Sequence, residues 1–526
     1  MSPAPARDDA FALPDAVRDE LVAVVGREHA LVTDEERDEY RDPYWYQEDR
    51  SYDSSLVLFP ASTEEVQEIV RIANRHEVPI WASSQGRNNG YGGPSPRVRG
   101  SVLVSLRRMD RVLEYDERLG YAVVEPGVRW FDLYDVLHAR GDQHLLSITD
   151  VGWGSIIGNS LDNGMTYLPL GTDFQAQTGM EIVLADGSLL RTGMGAMEGN
   201  PSFHLYKRGL GPDVQPLFTQ GNYGIVVKMG VWLMKRPKAY RPMYLMVPRD
   251  HQMAQAVDVL RELRQEGVIR GVPLLENLIL QGVHFPEHFG KFPAADATWS
   301  DERLDELADE TGIGRWGVRT HLWGEPEVLD VHERQIREAW SAIEGSRVDT
   351  WKTYTAENWG DLQDAGFMDK IGAGVPTMMM MELMPDFVGH IGFSPVVPLI
   401  GAEVEKVSNI IKEKVIAATG GNYTSAIFPT NDRSAIIVSS LIMNRDDESS
   451  VQAAFATAKD LLITLSALGY GEYRAHLDFM DLATEQYAFG DHVYQRFVRA
   501  IKDAVDPKGI LSPGRHGVWP ARYLAS

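Results

Sequence analysis

The chain has 526 residues, 44% of them hydrophobic and 24% charged, enough apolar material for a large core divided between two domains. Its formal charge of -24 at pH 7 repels, on average, a nucleic-acid backbone or an anionic membrane surface, which leaves small neutral molecules as the easier partners. It has no cysteine, so disulfides, thiolate nucleophiles and cysteine-ligated metals are excluded.

The N-terminus, Met1 to Asp9, lacks a basic region followed by an apolar stretch, so no signal peptide is expected. No segment is apolar enough to span a bilayer, and a cytoplasmic location is the expectation. Ser62-x-x-Glu65 reads as a capping box, and Val66, Ile69, Val70 and Ala73 recur at helical spacing, which predicts a helix to about His76. Strands at Leu56 to Phe59 and Val78 to Ala82 flank it as a β-α-β unit, and the polar, glycine-rich run Ser83 to Gly93 follows. Further strands are predicted at Ser101 to Ser105 and Tyr121 to Val124, with a helix resuming near Trp130. Glu181 to Leu184 and Ser188 to Arg191 straddle Ala185-Asp186-Gly187, a hairpin signal.

Another strand, Gly224 to Leu233, stops at Lys235-Arg236-Pro237, where the first domain boundary is placed. Helical stretches near His251 to Glu266, Asp301 to Thr311 and Val451 to Leu468 then suggest a second α+β domain. The segment from Lys352 to Pro376 shows no clear period, and the run Met378 to Met381 reads as packing filler. Ala504 to Trp519, rich in glycine and proline, returns to the first domain, giving the division 1–237, 238–467 and 468–526.

A glycine-rich loop after a strand is either a simple turn or a phosphate cradle, since glycine lets backbone N–H groups approach an anion. The loop at Gly86 has neither the dinucleotide fingerprint spacing nor a Walker lysine, which disfavours nicotinamide and nucleoside triphosphates. It keeps company with two more small-residue loops, Asp150 to Asp162 and Gly221 to Val226. Together with Arg191 to Ala196, Gly471-Glu472-Tyr473-Arg474, Pro385 to Pro395 and Asp506 to Gly514, these motifs resemble the vanillyl-alcohol oxidase and p-cresol methylhydroxylase flavoprotein family over about Asp42 to Trp519.

The resemblance implies a two-domain α+β fold in which FAD is held by the N-terminal part plus the C-terminal tail, with an α+β cap over the substrate. By the same resemblance, the FAD-binding positions are Gln85, Gly86, Arg87, Asn88, Asn89, Gly90, Ser155, Ile156, Gly158, Asn159, Gly224, Ile225 and Arg515. His390, in Gly-His-x-x-Phe-Ser-Pro, is the residue expected to carry the flavin covalently, which favours the oxidase branch over the branch with a tyrosine link. Taken alone, a histidine is more often structural.

Tyr91, Tyr473 and Arg474 fall at the family's phenolate-binding positions, and Asp150 at its catalytic aspartate. A phenol has a pKa near ~10, and lowering it by about 3 units needs about 4 kcal/mol, within reach of an arginine and two hydroxyl donors in a dry pocket. Without the resemblance, Tyr91 packs behind a loop, Tyr473 and Arg474 form a surface pair, Asp150 caps a turn, and Arg515 is a solvated arginine. Benzylic hydride transfer through a p-quinone methide, then water addition or desaturation with O2 giving H2O2, is the expected reaction. A carrier-linked dehydrogenase, a sugar or lactone oxidase and a non-catalytic flavin protein are the alternatives.

Three departures from the family pattern stand out. Asp42-Pro43-Tyr44-Trp45 has tyrosine where relatives have a helper histidine, Gly171-Thr172-Asp173-Phe174 replaces a Gly-Asp-His pattern, and Phe428 to Asp432 replaces a histidine-containing stretch. The segment after Gly195 lacks a long insertion linked to octamers, so a homodimer is expected, with no metal.

Overall fold

A computed structural model describes residues 10–46, 48–170, 173–292, 298–382 and 386–524. The Met1 to Asp9 terminus, Gly171-Thr172 and Pro385 lie outside the described residues, as do the side chains of Asp173 and Phe174.

The first β-α-β unit forms as its pattern dictates. Helix Thr63–His76 buries Val66, Ile69, Val70 and Ala73 on one face, and strands Leu56–Leu58 and Ile80–Ser83 both run parallel to Val102–Ser105, which lies between them. The cap differs from the expected box. Ser62 Oγ accepts from Glu65 N at 3.2 Å, but the Glu65 carboxylate reaches past Ser62 to Ala61 N at 2.7 Å. Ser62 still satisfies the Glu65 amide, while Glu65 satisfies the amide of Ala61 in place of that of Ser62.

A second, antiparallel sheet runs in the order Val112–Asp116, Tyr121–Val124, Ile225–Trp232, Gln177–Val183 and Leu189–Arg191. Its outer hairpin turns at Asp186-Gly187, with Gly187 at φ 81, where the missing side chain removes the left-handed penalty. Beyond Met234–Lys235 the strand pairing changes partners altogether. Ala239–Val247 starts a separate sheet, nine-stranded among the described residues, whose central strands are Trp316–Gly324, Leu274–Asn277, Thr424–Pro429 and Ser434–Asn444, with Val388–Phe393 at one end.

Helices Met253–Gln265, Pro326–Trp340, Gly401–Thr419 and Glu448–Ala467 supply the apolar stripes that share one buried cluster with this sheet. Only the first and last of these were legible as periodic stretches. The other face of the sheet turns to the second sheet, because Leu274, Ala426 and Phe428 pack in one cluster with Ala122, Met180 and Met229. The interval that showed no period resolves into Tyr354–Thr355, Trp359–Asp364 and Phe367–Gly372, short elements too brief to carry a repeat.

The C-terminal tail docks by backbone pairing. Ile80 N donates to Ile510 O and Ser512 N to Ile80 O, both at 2.8 Å, and Asn222 Nδ2 donates to Ser512 O at 3.1 Å and Val518 O at 2.9 Å. Lys502, fully buried, pairs with Asp506 at 2.7 Å and donates to Asn222 O and Leu511 O at 2.5 and 2.7 Å. Tail, third glycine loop and first sheet are thereby fixed to one another. No helix among the described residues is long and apolar enough to cross a membrane.

Candidate active site

A cavity of ≈ 490 Å³ lies where the two modules and the tail meet. Gln85, Gly86, Arg87, Asn88, Asn89, Ser155, Gly158, Asn159, Gly224, Ile225 and Arg515 line it, together with Asp150, Tyr91, His390, Tyr473 and Arg474. Two expected positions do not. Ile156 is turned into the core by the helix Ile156–Leu161 that it begins, and its neighbour Ile157 takes the lining place. Gly90 stands behind His390 instead of facing the space.

That backing is tight. A side chain at Gly90, which sits at φ +82, would put its Cβ 2.9 Å from both Cδ2 and Nε2 of His390. His390 and Gly392 alternate with Ile391 and Phe393 along Val388–Phe393, so the first pair faces the cavity while the second enters the helix-covered core. At Gly392 a Cβ would stand 2.5 Å from the Tyr91 ring and hydroxyl, so glycine there lets Tyr91 lie against the strand that carries His390. Burial pushes the His390 imidazole down to about 4, leaving it neutral and nucleophilic. Tyr44 sets its ring edge against His390 with centroids 5.2 Å apart.

The Arg474 guanidinium carbon stands 4.0 Å from the centre of the Tyr91 ring and 5.5 Å from that of Tyr473. Burial opposes its charge, but the two phenols and Asp162 outweigh burial and hold it protonated. Burial pushes the Tyr473 hydroxyl above the usual tyrosine value, so it donates at neutral pH. Tyr473 N donates to Ser394 O at 3.2 Å, and its carbonyl accepts from Gln220 Nε2 at 2.9 Å. All three hydroxyl- and guanidinium-bearing residues therefore converge on one end of the cavity.

Glu472, the buried second member of the Gly-Glu-Tyr-Arg run, ties this end to the His390 strand. Its carboxyl oxygens accept from Ser394 N at 3.0 and 2.9 Å. Burial raises the Glu472 carboxyl from 4.5 to about 8, against the lowering pull of the Ser394 and Arg474 amides and the Arg474 charge. The folded state thus keeps a proton that the unfolded chain has lost, so this group's stabilisation is complete below about pH 4.5 and fades as pH rises to about 8. Glu472→Gln should flatten a decline on the order of 3 to 5 kcal/mol between those limits, read as Tm against pH. An unchanged slope contradicts it.

Asp150 lies in the same cavity, and sequence reasoning missed what holds it. Its Oδ1 is 2.8 Å from Arg319 Nη2 and its Oδ2 accepts from the Tyr167 hydroxyl. Arg319, 2% exposed, points from the central strand Trp316–Gly324 and also lies over the Tyr167 and Phe367 rings at 4.4 and 5.0 Å. Despite burial, Asp150 keeps its guanidinium charged, and burial plus Asp150 drive the Tyr167 hydroxyl well above its ordinary value. The arginine lies 169 residues from Asp150, and no local pattern marks it.

Asp162 and His516 were likewise unassigned, and both line the cavity. So do Phe428, Met380 and Met381, and Met379 and Met380 also pack against a buried apolar cluster, in keeping with the packing role read from the methionine run. Among the described residues, no cluster of side chains could hold a metal ion.

The cavity suits a long, flat, pyrophosphate-linked molecule. Small residues line one end, Gly158 leaves room that a Cβ 2.2 Å from Ser84 Oγ would fill, and Arg87 and Arg515 supply positive charge. Residues 54–193 match the FAD binding domain family model. The chain is 30% identical over 499 residues to the hydroxylating 4-cresol dehydrogenase flavoprotein subunit of Pseudomonas putida, covering 94% of each. It superposes on the 4-ethylphenol oxidase of Gulosibacter chungangensis, in its isoeugenol complex, with a TM-score of 0.90 at 31% identity over 99% of this chain and 100% of that one. Substrate-bound p-cresol methylhydroxylase gives 0.88 at 29% identity, covering 96% and 97%.

Proposed function

The chain belongs to the vanillyl-alcohol oxidase and p-cresol methylhydroxylase family of FAD-binding oxidoreductases, and from that premise we propose that it oxidises 4-alkyl-, 4-alkenyl- and 4-hydroxymethylphenols, methoxylated ones included, with O2 as the electron acceptor and H2O2 released. The observation that carries this reading is the convergence of Tyr91, Tyr473 and Arg474 at one end of a cavity whose wall also bears His390 and Asp150. The relatives' names point the same way, since they act on 4-cresol and 4-ethylphenol.

Bound FAD supplies a two-electron acceptor for hydride. The protein's part is to bind the phenol as its anion, because loss of hydride from the para carbon then gives a neutral p-quinone methide. Arg474 and the two hydroxyls place positive charge and donors on the oxygen, and Asp150 accepts a proton from water adding to the benzylic carbon. Where no water adds, loss of a neighbouring proton gives the alkene. Gln85 to Asn89 together with Ser155, Gly158 and Asn159 would hold the dinucleotide, Arg515 would offset charge at the flavin, and His390 would hold it covalently through an imidazole nitrogen. Residues 1–237 and 468–526 serve as the FAD-binding part and 238–467 as the substrate cap, in a homodimer.

A panel of 4-substituted phenols should bleach the bound flavin without air and release peroxide stoichiometrically with air. Bleaching without peroxide would replace O2 by another electron carrier. No bleaching with any phenol would end the proposal. His390→Ala should leave FAD that acid precipitation strips from the protein, and the denatured band should lose its flavin fluorescence. Retained fluorescence would move the link elsewhere.

A further inference from the structure

Phenol oxidation of the kind proposed above needs somewhere for the phenol's own proton to go. Arg474 is held charged and Tyr473 is held protonated, so the grip on the oxygen consists of donors. Asp150, bound to Arg319 and Tyr167, serves the benzylic end in that reading. Asp162 is a carboxylate beside the grip, with Oδ2 3.5 Å from Arg474 Nη1. It also accepts from Asn88 Nδ2 at 3.0 Å, and its Oδ1 lies 3.3 Å from His516 Nε2. One buried carboxylate therefore has the phenolate arginine on one side and an imidazole that lines the same cavity on the other.

Resting on that reading, we propose that His516, with Asp162 beside it, is the base that takes the phenol's proton. Its Nε2 is buried, makes no hydrogen bond within the protein and lies 3.3 Å from the carboxylate that also meets Arg474, so in the neutral ring with hydrogen on Nδ1 the Nε2 lone pair is left to accept a proton. The phenol O–H bond breaks, an N–H bond forms at Nε2, and the electron pair stays on the oxygen under Arg474. After oxidation the imidazolium returns the proton to the departing product, so no further reactant is required.

Chemistry separates the two members of the pair. His516 and Arg474, against opposing burial, hold Asp162 at about 2, so a proton passing from a phenol to this carboxylate would climb roughly eight decades. Burial lowers the His516 imidazole below its ordinary value against the pull of Asp162, which leaves it unprotonated at neutral pH, and Arg515 and Arg474 also face it and favour the neutral form. Asp162 thus stabilises the imidazolium when it forms. The backbone fixes His516. It sits at φ 48, in the left-handed region, with His516 O accepting from Thr484 Oγ1 at 3.1 Å and His516 N donating to Met480 Sδ at 3.2 Å. A non-glycine residue held there is overdetermined by its surroundings, as at many functional sites.

The test compares 4-ethylphenol with 2,6-difluoro-4-ethylphenol, which its fluorines acidify, on the flavin-loaded enzyme. In His516→Gln, kcat/KM at pH 7 should fall roughly 10²-fold or more for 4-ethylphenol but less than about fivefold for the acidic analogue. Flavin content and spectrum should match wild type. Equal losses for both phenols, or no loss, would overturn the assignment, since a structural defect does not depend on substrate acidity. A loaded wild type that turns over neither phenol sinks the phenol reading, and this assignment with it. Turnover of both phenols without a differential loss sinks the assignment alone.

Discussion

Arg474→Ala should lower kcat/KM for a 4-alkylphenol by roughly 10²- to 10³-fold at pH 7, with flavin still bound. The guanidinium is buried, lies against the Tyr91 and Tyr473 rings, and is held charged by both phenols and Asp162. Removing it deletes the charge-assisted contact to the substrate oxygen and leaves Asp162 in the cavity without that partner. Truncating one member of a buried, hydrogen-bonded charge pair costs about 2 to 5 kcal/mol, and the middle of that range, about 2.7 to 4.1 kcal/mol, gives the fold-change above. Arg474→Lys should recover only part of the loss, because a point charge replaces the planar fork. Steady-state kinetics beside the flavin absorbance of each variant provide the check. Wild-type kinetics in the alanine variant would remove Arg474 from substrate binding.

Separate consequences follow for the other end of the ring. Asp150→Asn should lower kcat by about 10² or more and shift products from the hydroxylated compound toward the alkene, because an amide cannot take the proton of attacking water. Arg319→Ala acts first on stability. It strips Asp150 of its 2.8 Å partner and leaves that carboxylate facing Tyr167 alone inside the protein, a change of about 3 to 5 kcal/mol for a buried pair broken on one side. Its Tm should drop by several degrees even without substrate, whereas Asp150→Asn, which keeps a side-chain acceptor for Tyr167, should lose less stability than activity. Product analysis by chromatography and thermal unfolding together distinguish the two roles. An unchanged product ratio in Asp150→Asn would take the carboxylate out of water addition.

The outline of the first module was legible because its signals are local. The Val66-Ile69-Val70-Ala73 stripe specifies a helix and the Asp186-Gly187 pair a hairpin, and both form. The cap was less legible. Its central strand Trp316–Gly324 is buried on both faces in all but its final glycine, so it shows no alternation to read. Local patterning also fails at Ile156, since only the placement of the short helix decides whether it or Ile157 meets the cavity.

By itself, the sequence determined the chemistry that is available: no thiol, three glycine-bearing loops, a histidine in a distinctive strand motif, and a tyrosine-arginine pair. Each of these is written in neighbouring residues. Only the tertiary structure decided which groups work together, as it joins Asp150 to Arg319 across 169 positions and Arg474 to Asp162 across 312. The reason is physical: a buried charge is tolerated where a partner arrives from elsewhere in the chain, and that arrival is a property of packed sheets and a docked tail, which no stretch of sequence contains.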